Sequence, residues 1–193
     1  MDYPTMHTCL QTLLSRRTIY QFKSTPVAQT ILEQALEAAT WAPNHGLTEP
    51  WHFYVIGRQT QQQLARLYAR LRADKRADPG TEAWQEHFDR ARERFEAFPR
   101  VVFVGQIKTD SPTQQQEDAA AVACAIHNLQ LALWSKGVGC QWSTGPLIRA
   151  QETRQLLQVP DTVELVAVLY IGWPACMPKS KRTPWQEKTS FLP

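Results

Sequence analysis

The chain has 193 residues, of which 43% are hydrophobic and 20% are charged, and its formal net charge is +3. This length suits a single domain with a proper core, and the mixed charges are typical of a water-soluble globular protein. The small positive excess suits an acidic small molecule better than nucleic acid, because nucleic-acid binding usually requires a dense basic face.

Cysteine usage and the chain start bear on the cellular compartment. The four cysteines form no C-x-x-C pair, so we expect buried, reduced thiols in a reducing compartment. The opening Met1-Asp2-Tyr3-Pro4 lacks the basic region of a signal peptide, and no apolar run is long enough to cross a membrane. We therefore expect a cytoplasmic protein with no membrane partner. The cysteines are Cys9, Cys124, Cys140 and Cys176.

The first third of the chain predicts two helices and a strand. Apolar residues repeat at helical spacing from Met6 to Leu14 and predict a helix that ends near Ser15. Ser24-Thr25-Pro26 predicts the start of a second helix, which ends before Pro43. A polar loop then leads to a strand over residues 51–56.

The next segment predicts two further amphipathic helices. Apolar residues at helical spacing mark one helix over residues 64–71, and Thr81 is a candidate cap for a charged helix that reaches Phe98. The turn Asp78-Pro79-Gly80 separates them. We interpret residues 72–100 as a peripheral helical segment and a candidate lid.

The second half predicts the centre of the fold. Residues 101–104 read as a short buried strand, and the polar residues 106–116 as a loop. Residues 117–136 predict a central buried helix, because this stretch is apolar nearly all round. It ends at Gly137-Val138-Gly139.

Two more strands follow. Residues 140–144 predict a strand, and residues 149–157 a short helix. The run of aliphatic residues over 163–171 predicts a strand in the middle of the sheet. The elements together predict an α+β sandwich around a sheet of at least four strands.

Familiar catalytic signatures are absent from the sequence. It contains no P-loop, no G-x-G-x-x-G after a strand, no H-E-x-x-H and no G-x-S-x-G. The five histidines show no metal-ligand spacing, so we predict no metal site. His45 differs from the others because it lies in a Pro-Asn-His-Gly loop between a helix and a strand, where binding residues are often placed. The histidines are His7, His45, His52, His87 and His127.

Arg16-Arg17-Thr18 is a second polar cluster with a clear physical use. Two guanidiniums offer paired donors to phosphate oxygens, and the hydroxyl adds an uncharged donor. The same residues are equally explained as a solvated helix end, where positive charge is favoured. Local chemistry leaves both interpretations open.

Five segments of the chain occur in the order of known motifs. They are SRRTIYQF (15–22), TWAPNH (40–45), EPWHF (49–53), KGVG with WSTG (136–145) and LYIGWP (169–174). In this order and spacing they resemble the FMN-dependent nitroreductase family, most closely its short, single-domain NAD(P)H nitroreductases.

The resemblance implies a specific architecture. It predicts one nitroreductase-like domain over residues 1–193, built as a three-layer sandwich with a central mixed β-sheet of four to five strands flanked by helices. It also implies an interlocked homodimer, with one FMN in each of two interface clefts. Residues 175–193 are then a C-terminal tail.

The resemblance also implies which residues hold the FMN phosphate. No side chain is assigned a catalytic role, because the flavin carries the chemistry. Basic tail residues complete the phosphate site, although the resemblance does not single out one of them. The phosphate and ribityl residues are Arg16, Arg17 and Thr18, with Lys179, Lys181 or Arg182 from the tail.

The flavin ring is assigned two sets of neighbours by the same resemblance. Trp41 and His45 reach it from the neighbouring subunit, and Trp142, Ser143 and Thr144 line it. Trp41 stands where close relatives can carry arginine, so one cation that would stabilise the reduced flavin is missing.

A second departure from the family pattern lies at Tyr20, where many relatives carry arginine or lysine. The segment over residues 72–100 is also longer than in the shortest relatives. We expect the first change to alter the flavin potential and the second to reshape the substrate opening.

The implied reaction is ping-pong hydride transfer. NAD(P)H reduces the flavin at N5 and leaves, and a nitroaromatic, a quinone or a similar acceptor then takes its place. Two alternatives stay open: a flavin enzyme of the same fold with other chemistry, such as flavin fragmentation or reductive dehalogenation, and a non-catalytic flavin-binding module. The sequence does not separate NADH from NADPH.

Overall fold

The computed structural model describes residues 9–193. Predictions that rest on Met1–Pro4, Met6 and His7 lie outside the described residues. Six α-helices and four strands make up the regular structure of the described chain. The helices are α1 (Cys9–Ser15), α2 (Gln29–Thr40), α3 (Arg58–Ala73), α4 (Glu82–Glu96), α5 (Pro112–Ser135) and α6 (Gln151–Leu156).

The four strands form one sheet in the order β1-β2-β4-β3. Every adjacent pair is antiparallel, and the parallel part of the predicted mixed sheet is confined to an isolated bridge between Thr18 and Cys140. The aliphatic run at 163–171 lies in a central strand, as its composition predicted. The strands are β1 (Trp51–Val55), β2 (Arg100–Ile107), β3 (Gly139–Ser143) and β4 (Val163–Gly172).

Helices cover both faces of the sheet, which gives the predicted three layers. On one face, α2 and α5 pack through a core that includes Leu32, Leu129 and Leu169. On the other face, α3, α4 and α6 surround a second core that includes Leu64 and Phe95. The alternation of side chains along β4 supplies both cores, because successive residues point to opposite faces.

The predicted start of α2 at Ser24-Thr25-Pro26 is wrong. The helix begins at Gln29, and no side chain caps it. The chain stays extended before it because Lys23 N donates to Trp173 O at 2.8 Å and Trp173 Nε1 donates to Pro26 O at 3.1 Å. Pairing with the end of β4 therefore overrides the local capping signal.

The predicted loop over 106–116 exists but is shorter, since only residues 108–111 lie outside regular structure. β2 continues to Ile107, paired with Val163, and α5 begins at Pro112 rather than at 117. Ser111 caps this helix by accepting a hydrogen bond from Gln114 N at 3.3 Å, with proline in the first turn. The polar residues that suggested a loop form the first turns of the helix.

The predicted helix over 149–157 is divided in two. A 3-10 turn covers Pro146–Arg149, and α6 starts after Ala150, whose ψ of 131° is extended. At the other capping site, Thr81 accepts from Trp84 N at 3.2 Å, as predicted. α4 buries Phe95 completely, so residues 72–100 form part of the second layer, and their role as a lid stays a prediction.

Burial differs from the predictions at several apolar residues. Of the four thiols only Cys140 is buried, so the expectation of four buried cysteines is wrong. α5 buries its inner face as predicted, but Cys124 and His127 on its outer face are exposed. The apolar stripe of α1 is exposed too, with Leu10 at 62% and Leu14 at 69%. These surfaces have no partner within the described chain.

Candidate active site

The segment that follows α1 is attached to the edge of the sheet. Ile19 N donates to Cys140 O at 3.2 Å, and Thr18 forms a parallel bridge with Cys140. Gly139 makes this close approach possible, since a Cβ at that position would lie 2.9 Å from Ile19 Cβ. The contact places Arg16-Arg17-Thr18 beside the start of β3.

The Cys140 thiol is buried at the start of β3, beside this contact. Burial raises the pKa of Cys140 from 9.0 to about 12, while a hydrogen bond from Gln130 and the positive charge of Arg16 act in the opposite direction. Arg16 lines none of the three cavities described below. The thiol itself stays protonated at neutral pH.

Arg17 combines the two interpretations that the sequence left open. Its Nη1 donates to Leu14 O at 2.8 Å and to Arg16 O at 2.9 Å, which satisfies carbonyls at the end of α1. It also lines a surface cavity together with Thr18. Arg17 therefore closes the helix end and also faces a cavity.

The C-terminal tail completes this cavity. Ala175 N donates to Gln21 O at 3.0 Å, and Phe22 forms a bridge with Pro174, so the chain leaving β4 runs beside residues 20–23. The resulting cavity has a volume of about 210 Å³, and its lining includes three cations and no carboxylate. Its lining residues are Arg17, Thr18, Tyr20, Pro178, Lys179, Ser180 and Arg182.

The structure thus separates the tail residues that the resemblance named. Lys179 and Arg182 face the same cavity as Arg17, whereas Lys181 is exposed and does not line it. Arg182 Nη1 donates to Ser180 Oγ at 2.6 Å, which holds its guanidinium near the cavity. A phosphate dianion matches this set of donors.

Two further cavities follow in the direction of β3, each sharing lining residues with the one before it. Tyr20 also lines a second cavity, of about 570 Å³, whose other walls include Arg94 and Phe98. Arg94 and Phe98 in turn line a third cavity of about 240 Å³ against β3. Arg94 therefore brings a guanidinium to the cavity bordered by Tyr20.

The third cavity contains an unpartnered polar atom. Gln141 Oε1 is buried and has no hydrogen-bond partner within residues 9–193. Buried acceptors are normally satisfied, so this oxygen marks a position where a ligand donor fits. Tyr170 lies across from it on β4, and burial raises the pKa of that phenol, which stays protonated.

Strand alternation divides the residues predicted to line the flavin. Ser143 lines the third cavity beside Gln141, and Thr144 is exposed just after the strand. Trp142 points to the opposite face of β3, opposite Leu169 in the first core, and is 39% exposed. The structure therefore brings Ser143 together with Arg17 and Thr18 along one row of cavities, and it does not bring Trp142 to that side.

Trp41 and His45 lie away from these cavities. Trp41 follows the last turn of α2 and is 81% exposed, and His45 is exposed in a 3-10 turn. Thr48 Oγ1 donates to Asp118 Oδ1 at 2.7 Å, which anchors the turn to α5. Neither residue lines the cavities described above, and both project from the surface of the chain.

Five basic residues line the third cavity or an adjacent cavity between α3 and α4, and none of them was predicted as a site residue. They lie at the end of α3, just after it, and in α4. Their spacing could have indicated a cluster, because two pairs of arginines are each four residues apart. Only the packing of α3 against α4 shows that they converge. The residues are Arg72, Lys75, Arg76, Arg90 and Arg94.

Two further features were searched for within residues 9–193. No group of three or more His, Cys, Asp or Glu side chains there is arranged to hold a metal ion. No helix in the same range is long and apolar enough to cross a membrane.

Comparison with known proteins agrees with this geometry. The pattern that defines the Nitroreductase family matches residues 13–173. The chain is 32% identical over 185 residues to the Bacillus subtilis protein named "Putative NAD(P)H nitroreductase YfhC", covering 94% of this chain and 93% of that protein.

Solved structures share the fold. A nitroreductase-like family protein from Bacillus cereus superposes with a TM-score of 0.78 at 28% identity, over 100% of this chain and 98% of that one. The FMN-dependent nitroreductase NfnB from Mycobacterium smegmatis, solved with NADPH, superposes with a TM-score of 0.75 at 16% identity, over 95% and 97% of the two chains. The family match over residues 13–173 and the 32% identity to the Bacillus subtilis protein lead to one conclusion: the chain belongs to the nitroreductase family.

Proposed function

We propose that the protein is an FMN-dependent oxidoreductase that takes hydride from NAD(P)H and reduces a nitroaromatic, a quinone or a similar acceptor. The observation that carries this proposal is a row of three cavities with shared lining residues, from the cation cluster at Arg17, Thr18 and Arg182 to the cavity at Gln141 and Ser143. The first cavity offers donors to a phosphate, and the third offers Gln141 Oε1 as a buried acceptor.

The residues present fit the cofactor. The phosphate monoester of FMN is held by Arg17, Thr18, Lys179 and Arg182, with Arg16 beside them in the chain. At the other end, Gln141 Oε1 accepts a hydrogen bond from the polar edge of the ring, whose imide is a donor. Apolar walls such as Phe98 exclude water from the ring.

FMN held by these residues would supply the hydride-transfer chemistry between the nicotinamide and the acceptor. The side chains of the cavities bind and orient these molecules. The three cavities from Arg17 to Gln141 are lined by no histidine and no carboxylate, so they offer no general base of the usual pKa. This lining is consistent with chemistry carried by the cofactor.

The functional unit is proposed to be an interlocked homodimer, with a second copy of the chain as the partner. Large apolar side chains are exposed on three separate surfaces of the single chain. Exposed apolar area of this kind is typical of an interface. The residues are Leu10, Leu13 and Leu14 on α1, Trp41 and Leu47 near α2, and Trp185, Phe191 and Leu192 in the tail.

The dimer also supplies the residues that these cavities lack. Trp41 and His45 do not line the cavities of their own chain, so they can contribute to a flavin site only in the partner. Residues 175–193 run along the surface, with Phe191 84% exposed, and are available to wrap a second copy. The acceptor would then enter between the two chains.

Reconstitution with FMN tests the proposal. The purified protein should bind FMN, elute as a dimer on size exclusion and reduce a nitroaromatic or a quinone at the expense of NAD(P)H. Protein that takes up no FMN would refute it. Tight FMN binding without turnover of any acceptor would indicate the non-catalytic module instead, and products that derive from the flavin or from a halogenated substrate would indicate the other flavin chemistries.

A further inference from the structure

A basic groove lies between α3 and α4, at the opposite end of the site from Arg17. It has a volume of about 170 Å³ and shares Arg72, Arg76 and Arg94 with the cavity against β3. Four arginines and one histidine dominate its walls. The complete lining is Arg72, Arg76, His87, Arg90, Ala91 and Arg94.

The charges of this groove are not neutralised within the described residues. No carboxylate lines it, and the ion pairs found over residues 9–193 involve other arginines, such as Arg70 with Glu152 and Arg92 with Asp89. Arg72 lies over the ring of Tyr68, 5.4 Å from its centroid, which keeps the guanidinium in place without an anion.

The arginines of this groove are arranged so that they repel one another. Arg90 and Arg94 are four residues apart in α4, a spacing at which like charges on a helix are unfavourable. Arg72 and Arg76 repeat the spacing across the end of α3. A bound anion would turn this repulsion into attraction.

The groove is separate from the proposed FMN phosphate site. The two sites share no lining residue: Arg17, Lys179 and Arg182 line the first, and the four arginines from the α3–α4 region line the second. Of the second cluster, only Arg94 also borders the cavity lined by Tyr20. FMN has a single phosphate, and the cluster at Arg17 already matches it. The second cluster is therefore available to an anion of another molecule that shares the site.

We propose that Arg72, Arg76, Arg90 and Arg94 bind the 2′-phosphate of NADPH and so make NADPH the preferred hydride donor. This inference rests on the proposed function, because NADPH must reach the site to reduce the flavin. A phosphate monoester dianion needs several donors at close range, and the four guanidiniums supply them. NADH lacks this phosphate and leaves the groove unfilled.

Two substitutions test the assignment in the FMN-loaded protein. Arg76→Gln and Arg90→Gln each remove one charge from an exposed side chain, so the fold should be kept. Arg66→Gln is the matched control, because Arg66 is an exposed arginine of α3 that lies outside the groove. FMN affinity, measured by fluorescence quenching, should be the same in the wild type, Arg90→Gln and Arg66→Gln, because Arg90 and Arg66 lie outside the cavity against β3.

Binding of NADP⁺ and NAD⁺, measured by calorimetry, is the direct readout, because the two molecules differ only in the 2′-phosphate. We expect NADP⁺ to bind the wild type more tightly than NAD⁺, and each groove substitution to weaken NADP⁺ about tenfold, the loss expected for one charge-assisted hydrogen bond near the surface. NAD⁺ should bind the wild type and Arg90→Gln alike, and Arg66→Gln should behave as wild type.

Anaerobic reduction kinetics complete the test. The apparent Kd for NADPH should rise in Arg76→Gln and Arg90→Gln while that for NADH is unchanged. Equal affinity of the wild type for NADP⁺ and NAD⁺, or unaltered NADPH kinetics in both variants, would overturn this inference and leave the proposed function intact. Absence of reduction by either nicotinamide would instead refute the proposed function.

Discussion

Gly139→Ala perturbs the contact that joins Arg16–Thr18 to the sheet. A Cβ at residue 139 would lie 2.9 Å from Ile19 Cβ and 3.2 Å from Pro174 Cγ. Both neighbours are backbone-proximal atoms of constrained residues, so they cannot rotate away as the end of a flexible side chain can. The segment that carries Arg16 and Arg17 must move outward from β3.

The magnitude follows from the packing. Ile19 is fully buried, and forcing an extra carbon into such a site costs about 1–3 kcal/mol of the free energy of unfolding. For a chain of this size each kcal/mol lowers the Tm by about 2–4 °C. Displacing the arginines removes at least one charge-assisted hydrogen bond to the phosphate, which corresponds to a loss of FMN affinity of about tenfold or more.

The assay pairs thermal unfolding with FMN titration, and Gly57→Ala is the control. A Cβ at Gly57 meets no atom within 4 Å, and its φ of −81° suits any residue, so this variant should keep both Tm and FMN affinity. If Gly139→Ala kept the FMN affinity of the control, the approach of Arg16–Thr18 to β3 would not position a phosphate site, and the reasoning would fail.

Three further substitutions test single residues. Arg16→Ala should weaken FMN binding by about 1.5–3 kcal/mol, the range for a charge-assisted hydrogen bond, when measured by fluorescence titration; unchanged affinity would place the phosphate elsewhere. His45→Ala should cause a smaller loss of FMN affinity. Mixed dimers that carry His45→Ala in one chain and Arg16→Ala in the other should retain one intact site. Impairment of both sites would show that His45 acts within its own chain. The pKa of Cys140 is 9.0 in the unfolded chain and about 12 when the thiol is buried, so unfolding releases a proton between these two pH values. The free energy of unfolding should therefore fall as pH rises above about 9, by up to about 1.4 kcal/mol per pH unit. Urea unfolding of wild type and Cys140→Ala should show a steeper alkaline loss in the wild type; parallel curves would contradict a buried neutral thiol.

Periodicity and local signals predicted much of the fold. The helical spacing in α3 and α4, the cap at Thr81 and the central position of β4 were all readable, because each depends on residues close together in sequence. The start of α2 was not, because residues before it are held extended by hydrogen bonds to Trp173, far away in the chain.

The site was predictable only in part, for the same reason. Arg17 and Thr18 were identified from local chemistry and resemblance, and the separation of Arg182 from Lys181 required the path of the tail beside residues 20–23. Gln141 Oε1 lacks a hydrogen-bond partner because it is buried in the folded chain, and no pattern in the sequence predicts that burial.

The basic groove shows a different limit. The spacing of its arginines was visible in the sequence, but charged helices are most often simply solvated. Only the packing of α3 against α4 turns Arg72, Arg76, Arg90 and Arg94 toward one another. Convergence of charges from two helices is a tertiary property.

Anaerobic titration of the FMN-loaded protein with NADPH, followed by the visible absorbance of the flavin, is the decisive test of the proposed function. We expect the absorbance to be lost stoichiometrically and to return when a quinone is added. An FMN-loaded protein whose absorbance is unchanged by NADPH and by NADH would contradict it.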